Sequence, residues 1–517
     1  MTDRGAGAPP QAAITGGGQD STVEDLTAEQ RLAAGTSAGN VYIEAGPGTG
    51  KTTVSAHRFA VQRFQPSARR DDRAVVAVSF TRSATWSLWR RVQRIWGPSA
   101  VVWPHRIVTL DTIMSDLLHD LLGCGLLKWP GGHTTLSVHD SWTSFSSTFR
   151  TRTAYGLRIS NGHVEIATGF TSQVGYRVPT TIVVPLLEAG TCTHEDIRSV
   201  LEQALADKHC TDRVRTRLAG TMRALIVDEV FDANDLDIAI IEMATKAGVA
   251  VTLVGDPWQA LYVFRGARPE AVPDLLRRTG MRTLPLTQSF RWQNDAQRDL
   301  ADRLRKGAPV TLPPGCAEGA DADSSADVVL GLFWKTLWEA GDHVLPLAFH
   351  AFKGGSEEAA ATLLLNHVTR NIFSEDATYL RDALTALAIE DSDVPRKLEP
   401  ELQEVAELLR VPGRAALNTA YARLAEVVGT VSPREMRRAH AAHTNRLAAI
   451  AQRITYPGRP IPGLTAHQAK GREWATVGVR LAPSERKALA DGLRVHEDTH
   501  RKLYVACTRA RRATVEV

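Results

Sequence analysis

Cysteine is scarce. Cys124, Cys192, Cys210, Cys316 and Cys507 are the only five in 517 residues, and none are spaced C-x-x-C. That excludes a disulfide framework and makes a reducing cytoplasm the expected compartment. His209-Cys210 is the nearest approach to a metal pair, and four convergent zinc ligands are missing. No uninterrupted apolar run reaches the roughly 18 residues of a membrane helix. The N-terminus has no apolar core of a secretory signal; residues 1–21, rich in Gly, Pro, Gln and Ala, read as a loose leader. An excess of one charge sign is also lacking. Sixty-one Lys and Arg against 57 Asp and Glu give a net +4, which permits nucleic-acid binding without establishing it. No repeat recurs at a fixed period. What remains is an ordinary globular composition, 43% hydrophobic and 23% charged, long enough for roughly three to four domains.

Continuous β-branched runs at 41–45, 74–80, 106–110, 223–227 and 250–254 predict buried strands, with helical patterns between them. Strands alternating with helices imply a parallel α/β sheet. The reading divides the chain into a first α/β domain (22–112 and 213–280) and a mixed α/β insertion (113–212). In that insertion, 145–185 alternates as small antiparallel strands do. A second α/β domain (281–375 and 457–517) has strand patterns at 343–349 and 474–480. A helical insertion (376–456) is rich in Ala, Leu, Arg and Glu.

Between the first predicted strand and a helical pattern stands Ala45-Gly46-Pro47-Gly48-Thr49-Gly50-Lys51-Thr52, followed by Thr53. Glycines here let backbone N–H groups curl around phosphate oxygens, and the following helix aims its positive end at the same anion. Lys51 would reach the β- and γ-phosphates, and Thr52 would ligate Mg²⁺. Downstream, the strand pattern ALIV ends in Asp228 and Glu229. Asp228 would hold the Mg²⁺ shell, and Glu229 would orient and deprotonate the attacking water. Together these features imply hydrolysis of a nucleoside triphosphate with Mg²⁺.

The remaining motifs resemble, in order, those of superfamily 1 helicases of the UvrD/Rep/PcrA type. LTAEQ (26–30) resembles the Q motif, VSFT (78–81) motif Ia and TLDT (109–112) motif Ib. GDPWQALYVFRGA (255–267) resembles motif III, LTQSFRW (286–292) motif IV, TAHQAKGREW (465–474) motif V and LYVACTRA (503–510) motif VI. The resemblance implies two RecA-like parallel-sheet domains closing on one ATP. It implies that Gln259 serves the first domain and that Arg291 and Arg509 act as arginine fingers from the second. Adenine would stack between Phe290 and Arg58, Gln30 would read its edge, and Glu473 would contact the ribose region. For a single DNA strand, Phe80, Tyr262 and Phe264 would be stacking platforms. Thr81, Arg82, Thr109, Arg265, Thr465, His467 and Lys470 would contact or support its phosphates. The implied activity is that of an ATP-dependent translocase or helicase, moving 3′ to 5′ on single-stranded DNA or unwinding a 3′-tailed duplex, in repair, recombination or phage defence.

The chain also departs from the pattern. Phe231 takes the place of a Gln in motif II, which is expected to weaken the link between hydrolysis and DNA. Asp111 stands where the family often has His, and Arg472 where it has Leu. The helical insertion is short for the family's 2B domain. The last motif lies just before Val517, so no C-terminal extension is expected to recruit partners. Dependence on a nuclease or loading partner is expected instead. A rival reading is a DNA- and ATP-sensing regulatory ATPase with little unwinding of its own. A small-molecule kinase would leave motifs III, V and VI unexplained.

Overall fold

A computed structural model describes residues 26–66, 71–315, 326–437 and 441–517. The leader and Cys316 lie outside the described residues. Strands β1 (Val41–Ala45), β2 (Ala74–Ser79) and β3 (Arg106–Thr109) open the first sheet. An insertion follows with β4 (Ser137–His139), β5 (Phe149–Ser160), β6 (His163–Arg177) and β7 (Thr191–Thr193). The chain then returns through β8 (Met222–Asp228), β9 (Ala250–Gly255) and β10 (Arg282–Leu286). The second sheet uses β11 (Val328–Gly331), β12 (Val344–Pro346), β13 (Ile461–Thr465), β14 (Trp474–Val479) and β15 (Ala510–Glu516).

Both large sheets are wholly parallel, in the orders β10-β1-β9-β8-β2-β3 and β12-β13-β11-β14-β15. A parallel sheet is covered on both faces, so its strands read as unbroken apolar runs. β2 shows why the sequence folds this way. Its six residues are all buried. Val76 and Val78 point into a core shared with Leu117 and Ile240, while Val75 and Ala77 point into the opposite core with Phe59 and Leu88. That is the two-residue alternation of a strand packed on both sides. Within the first sheet β1 lies between β10 and β9, and the loops after β1, β2, β8, β9 and β10 all leave from one edge. Ligands of open parallel sheets bind outside this carboxyl edge.

The insertion differs from the sequence expectation. Instead of several small strands, β5 and β6 form one long antiparallel ribbon, broken by a register shift between Thr151 and Thr153. The tight turn at Asn161-Gly162, both at positive φ, allows the two long strands to pair directly. The predicted strand at 343–349 shortens to Val344–Pro346: Leu347 makes a last bond to the Gly463 carbonyl of β13 at 3.0 Å, and the pairing ends there. The helix Ser356–Phe373 contributes Leu363 and Leu364 to one core with Leu402, Leu424 and Leu447 of the later helices. Helices and sheet therefore meet before residue 376.

Phe231 lies inside the first core, 6.2 Å and edge-on to Tyr42. A Cβ on Gly255 would come within 2.9 Å of its ring, so the glycine makes room for the phenyl group. The residue that replaces the motif II amide is a packing residue. Phe231→Ala should cost about 3–5 kcal/mol, read as a lowered thermal midpoint, with nucleotide binding retained at a temperature where the variant is folded.

Candidate functional site

The phosphate loop joins β1 to the helix Lys51–Phe64. Gly48 (φ +72°) and Gly50 (φ +86°) have left-handed backbones that glycine adopts readily. Space gives a second reason for them. A Cβ at Gly48 would lie 2.6 Å from Cβ of Arg291, and one at Gly50 would lie 2.6 Å from Nε2 of Gln30. Motif IV and the Q motif therefore press on the loop. Thr49 Oγ1 donates to the Gly46 carbonyl at 3.0 Å. Lys51 Nζ donates to the carbonyls of Ala45 (3.2 Å) and Gly46 (3.3 Å), and burial lowers its pKa. Thr52 and Thr53 stand in the first turn of the helix. Ser289 Oγ donates to the Pro47 carbonyl at 2.8 Å, and the Phe290 amide donates to Gly48 at 2.9 Å.

β8 delivers Asp228 and Glu229 to the same edge. Glu229 sits at φ +60°, a left-handed conformation uncommon for a non-glycine residue and typical of functional turns. Asp228 is buried, and its Oδ1 has no hydrogen-bond partner. Burial, then the neighbouring charge of Glu229, pushes the Asp228 carboxyl up to about 7. Burial also opposes charge on Glu229, but Lys470 and Lys51 outweigh it and hold that carboxyl below its ordinary value. Among the described residues no group of three or more His, Cys, Asp or Glu forms a metal site. The donors nevertheless suit Mg²⁺ arriving with phosphate oxygens: an orphaned buried carboxylate oxygen and the Thr52 hydroxyl.

The second sheet supplies cations. Arg509 is 1% exposed. Its Nε donates to Val505, while its Nη2 is buried without a partner. Arg291 binds Glu473 (Nε to Oε2, 3.1 Å) and the Thr508 carbonyl (3.0 Å). Burial, then mutual repulsion with Arg291, lowers the Arg509 pKa; burial lowers that of Arg291 too. Two guanidinium groups in a water-poor site, one with an unused donor, call for an anion. Phe290 leaves 55% of its surface exposed beside the loop, as a base-stacking ring requires.

Several sequence-assigned roles change. Arg58 cannot stack on adenine. It is fully buried and bonds Thr252 Oγ1 (3.1 Å) and the carbonyls of Ala34, Thr36 and Ala38, which anchor the N-terminal helix. Gln30 completes a capping box with Thr27, and its Nε2 donates to Thr49 at 2.9 Å, so its amide braces the phosphate loop. Lys470 does not face a DNA phosphate. It is buried between Asp232 (2.5 Å) and Glu229 (3.5 Å), under the Tyr262 ring at 5.4 Å. Burial opposes its charge, yet Asp232 and Glu229 hold its pKa above the ordinary value. Arg82 is tied to Asp140 by two bonds, 2.7 and 2.5 Å. Thr81 caps its helix through Ala84, Thr109 bonds Thr112, and Thr465 is buried. Asp111 points to Arg198 at 2.6 Å.

The aromatic residues after β9 do assemble. Tyr262 and Phe264 lie 6.0 Å apart, with Phe264 66% exposed. His467 packs edge-on to Phe264 at 5.2 Å and bonds the Leu261 carbonyl at 2.9 Å. The Arg265 guanidinium lies over both rings, at 5.4 and 5.5 Å. Phe80 is half-buried against the first core. Gln259 is buried and donates to Asp256 Oδ2 at 2.7 Å. Asp256, Asp232 and Arg305 were not singled out from sequence. The first two lie inside recognised motifs, whereas no motif marks Arg305.

Asp228 generates a pH prediction. Its folded pKa lies above the ordinary aspartate value, so the proton is retained until the pH rises through the raised range. Mg²⁺ needs the ionised form. The Mg²⁺ concentration for half-maximal hydrolysis should therefore rise as pH falls from about 8 to about 6, and a metal titration of activity at each pH measures it.

The family model described as an AAA domain matches residues 29–265. DNA helicase II of Escherichia coli (strain K12) is 23% identical over 289 residues, 52% of this chain and 39% of that protein. The RecBCD enzyme subunit RecB of Mycolicibacterium smegmatis is 30% identical over 127 residues, 24% of this chain and 11% of that protein. The chain thus spans well under half the length of these relatives. Unliganded Pif1 from Bacteroides sp. superposes with a TM-score of 0.26 at 15% identity, over 59% of this chain and 53% of that one. A phosphate loop, a β8 carboxylate pair and two arginines from a second parallel sheet, together with the AAA-domain match over the first sheet, make this chain similar to superfamily 1 helicases.

Proposed function

We propose that the protein is an ATP-driven motor on single-stranded DNA, of the UvrD-like branch and moving 3′ to 5′. The observation that carries the reading is the buried, partnerless Nη2 of Arg509, a second-sheet guanidinium whose charge acts on Lys51 of the phosphate loop. Lys51 and the loop amides would hold the triphosphate. Glu229, kept ionised by Lys470 and Lys51, would accept the proton of the attacking water. Gln259 would orient that water. Arg291 and Arg509 would meet the charge that develops on the transferred phosphoryl group. When bound, Mg²⁺ supplies charge neutralisation, and Asp228 and Thr52 are the residues that would hold it.

The nucleic-acid side rests on Tyr262, Phe264, Arg265 and His467. Stacking rings under a guanidinium hold a strand without reading its sequence. Tyr262 lies directly over Lys470, which touches Glu229, so strand contact and hydrolysis are separated by two side chains. A partner nuclease or loading protein belongs to the proposal. Among the described residues no helix is long and apolar enough to cross a membrane.

One observation favours a regulatory variant of this reading: the motif II amide is replaced by a core phenyl group, Phe231. A strand-displacement assay separates the two. A motor displaces the strand, and a sensor hydrolyses ATP without displacement. The primary test is ATP hydrolysis with and without single-stranded DNA. Stimulation by DNA of about tenfold or more is expected, with Lys51→Ala and Arg509→Ala each reducing kcat by about 10²-fold or more. Hydrolysis indifferent to DNA would sink the motor reading.

A further inference from the structure

Arg305 ends the helix Asp295–Arg305, which packs on β15 of the second sheet. Its guanidinium nevertheless reaches the first sheet. Nη1 donates to Asp256 Oδ1 at 2.9 Å, Nη2 lies 3.6 Å from Glu44 Oε1, and the Tyr504 hydroxyl lies 3.5 Å from Nη1. A Cβ on Gly46 would sit 3.7 Å from the same Nη1, so the group stands against the first turn of the phosphate loop.

Asp256 has a completely buried side chain, and both of its oxygens are used. Oδ1 accepts from Arg305 and from the Trp258 amide (3.2 Å); Oδ2 accepts from Gln259 Nε2 (2.7 Å). One carboxylate therefore joins a cation of the second sheet's layer to the amide of Gln259. A buried carboxylate stripped of its cation must find another or take up a proton. Lys51, the phosphate-loop lysine, and Arg509 are also coupled to Asp256 by charge. Either outcome changes the charge and setting of the carboxylate whose Oδ2 holds the Gln259 amide.

We propose that Arg305 is a positioning residue: through Asp256 it makes the orientation of Gln259 depend on the second layer being docked against the first. This deepens the reading of the site as an ATP-hydrolysing one and rests on it. Arg305 would not touch the reacting atoms. It would report closure to a residue that does.

The test is a double-mutant cycle on the full chain, read as steady-state ATP hydrolysis with saturating single-stranded DNA. Arg305→Ala should lower kcat by about tenfold or more while KM for ATP moves less than about threefold. Arg305→Lys should recover part of the loss, since the charge returns without the fork. In a Gln259→Ala background, Arg305→Ala should add little, because the two act as a unit. Should Arg305→Ala fail to fold by thermal melt, the Arg305→Lys and Gln259→Ala pair completes the cycle. Full kcat in Arg305→Ala, or losses that multiply in full with Gln259→Ala, would overturn the proposal. A wild-type chain that hydrolyses no ATP would instead overturn the parent reading, so the two failures are distinct.

Discussion

The buried ammonium of Lys470 is the contact on which the rest of the site depends. It comes from the loop after β13 of the second sheet and ends between Asp232 and Glu229 of the first. Three carboxylates, Asp228, Glu229 and Asp232, crowd this edge, and burial drives Asp228 and Asp232 toward their neutral forms. Lys470 is what allows Glu229 to remain ionised among them. A buried cation with one carboxylate removed, or the reverse, costs several kcal/mol by typical measure, so the two sheets are held in register by a contact that neither can forgo.

Around that contact the junction is built mostly from motif III. Trp258 leaves the first sheet's loop to enter the second core, 4.9 Å from Tyr504. Arg501 donates to the Ala260 carbonyl at 2.7 Å, and His467 bonds Leu261 next to it. The same short stretch carries Gln259 toward the phosphate loop and Tyr262 toward the exposed aromatic cluster. The phosphate-loop side and the exposed aromatic side of the junction are thus two sides of one loop. Phe231 brings no side-chain amide to this region, and the polar contacts beside it are those of Asp232, which accepts from the Leu261 amide and from Lys470.

Much of this was legible in the sequence because it is local. A strand, a glycine-rich loop and a helix are adjacent in the chain, so Ala45–Thr53 announced the phosphate loop. Asp228-Glu229 likewise followed directly from an apolar strand, and the alternation in β2 required only six residues. What stayed hidden were roles set by partners far away in the chain. Arg58 looked like a base-stacking group, but Thr252, 194 positions on, claims it together with three carbonyls. Lys470 looked like a phosphate contact, but Asp232, 238 positions earlier, takes it. Arg305 carried no motif, and its carboxylate lies 49 positions away on the other sheet. The ribbon β5–β6 was misjudged for a similar reason: alternation indicates strands without indicating how many turns divide them.

In the proposed function, strand contact reaches hydrolysis through Lys470. The most direct measurement compares DNA stimulation of hydrolysis in Lys470→Arg and in Asp232→Asn, beside nucleotide binding by each variant. Binding retained with the stimulation largely lost is the predicted result. Full stimulation in both variants would contradict the account.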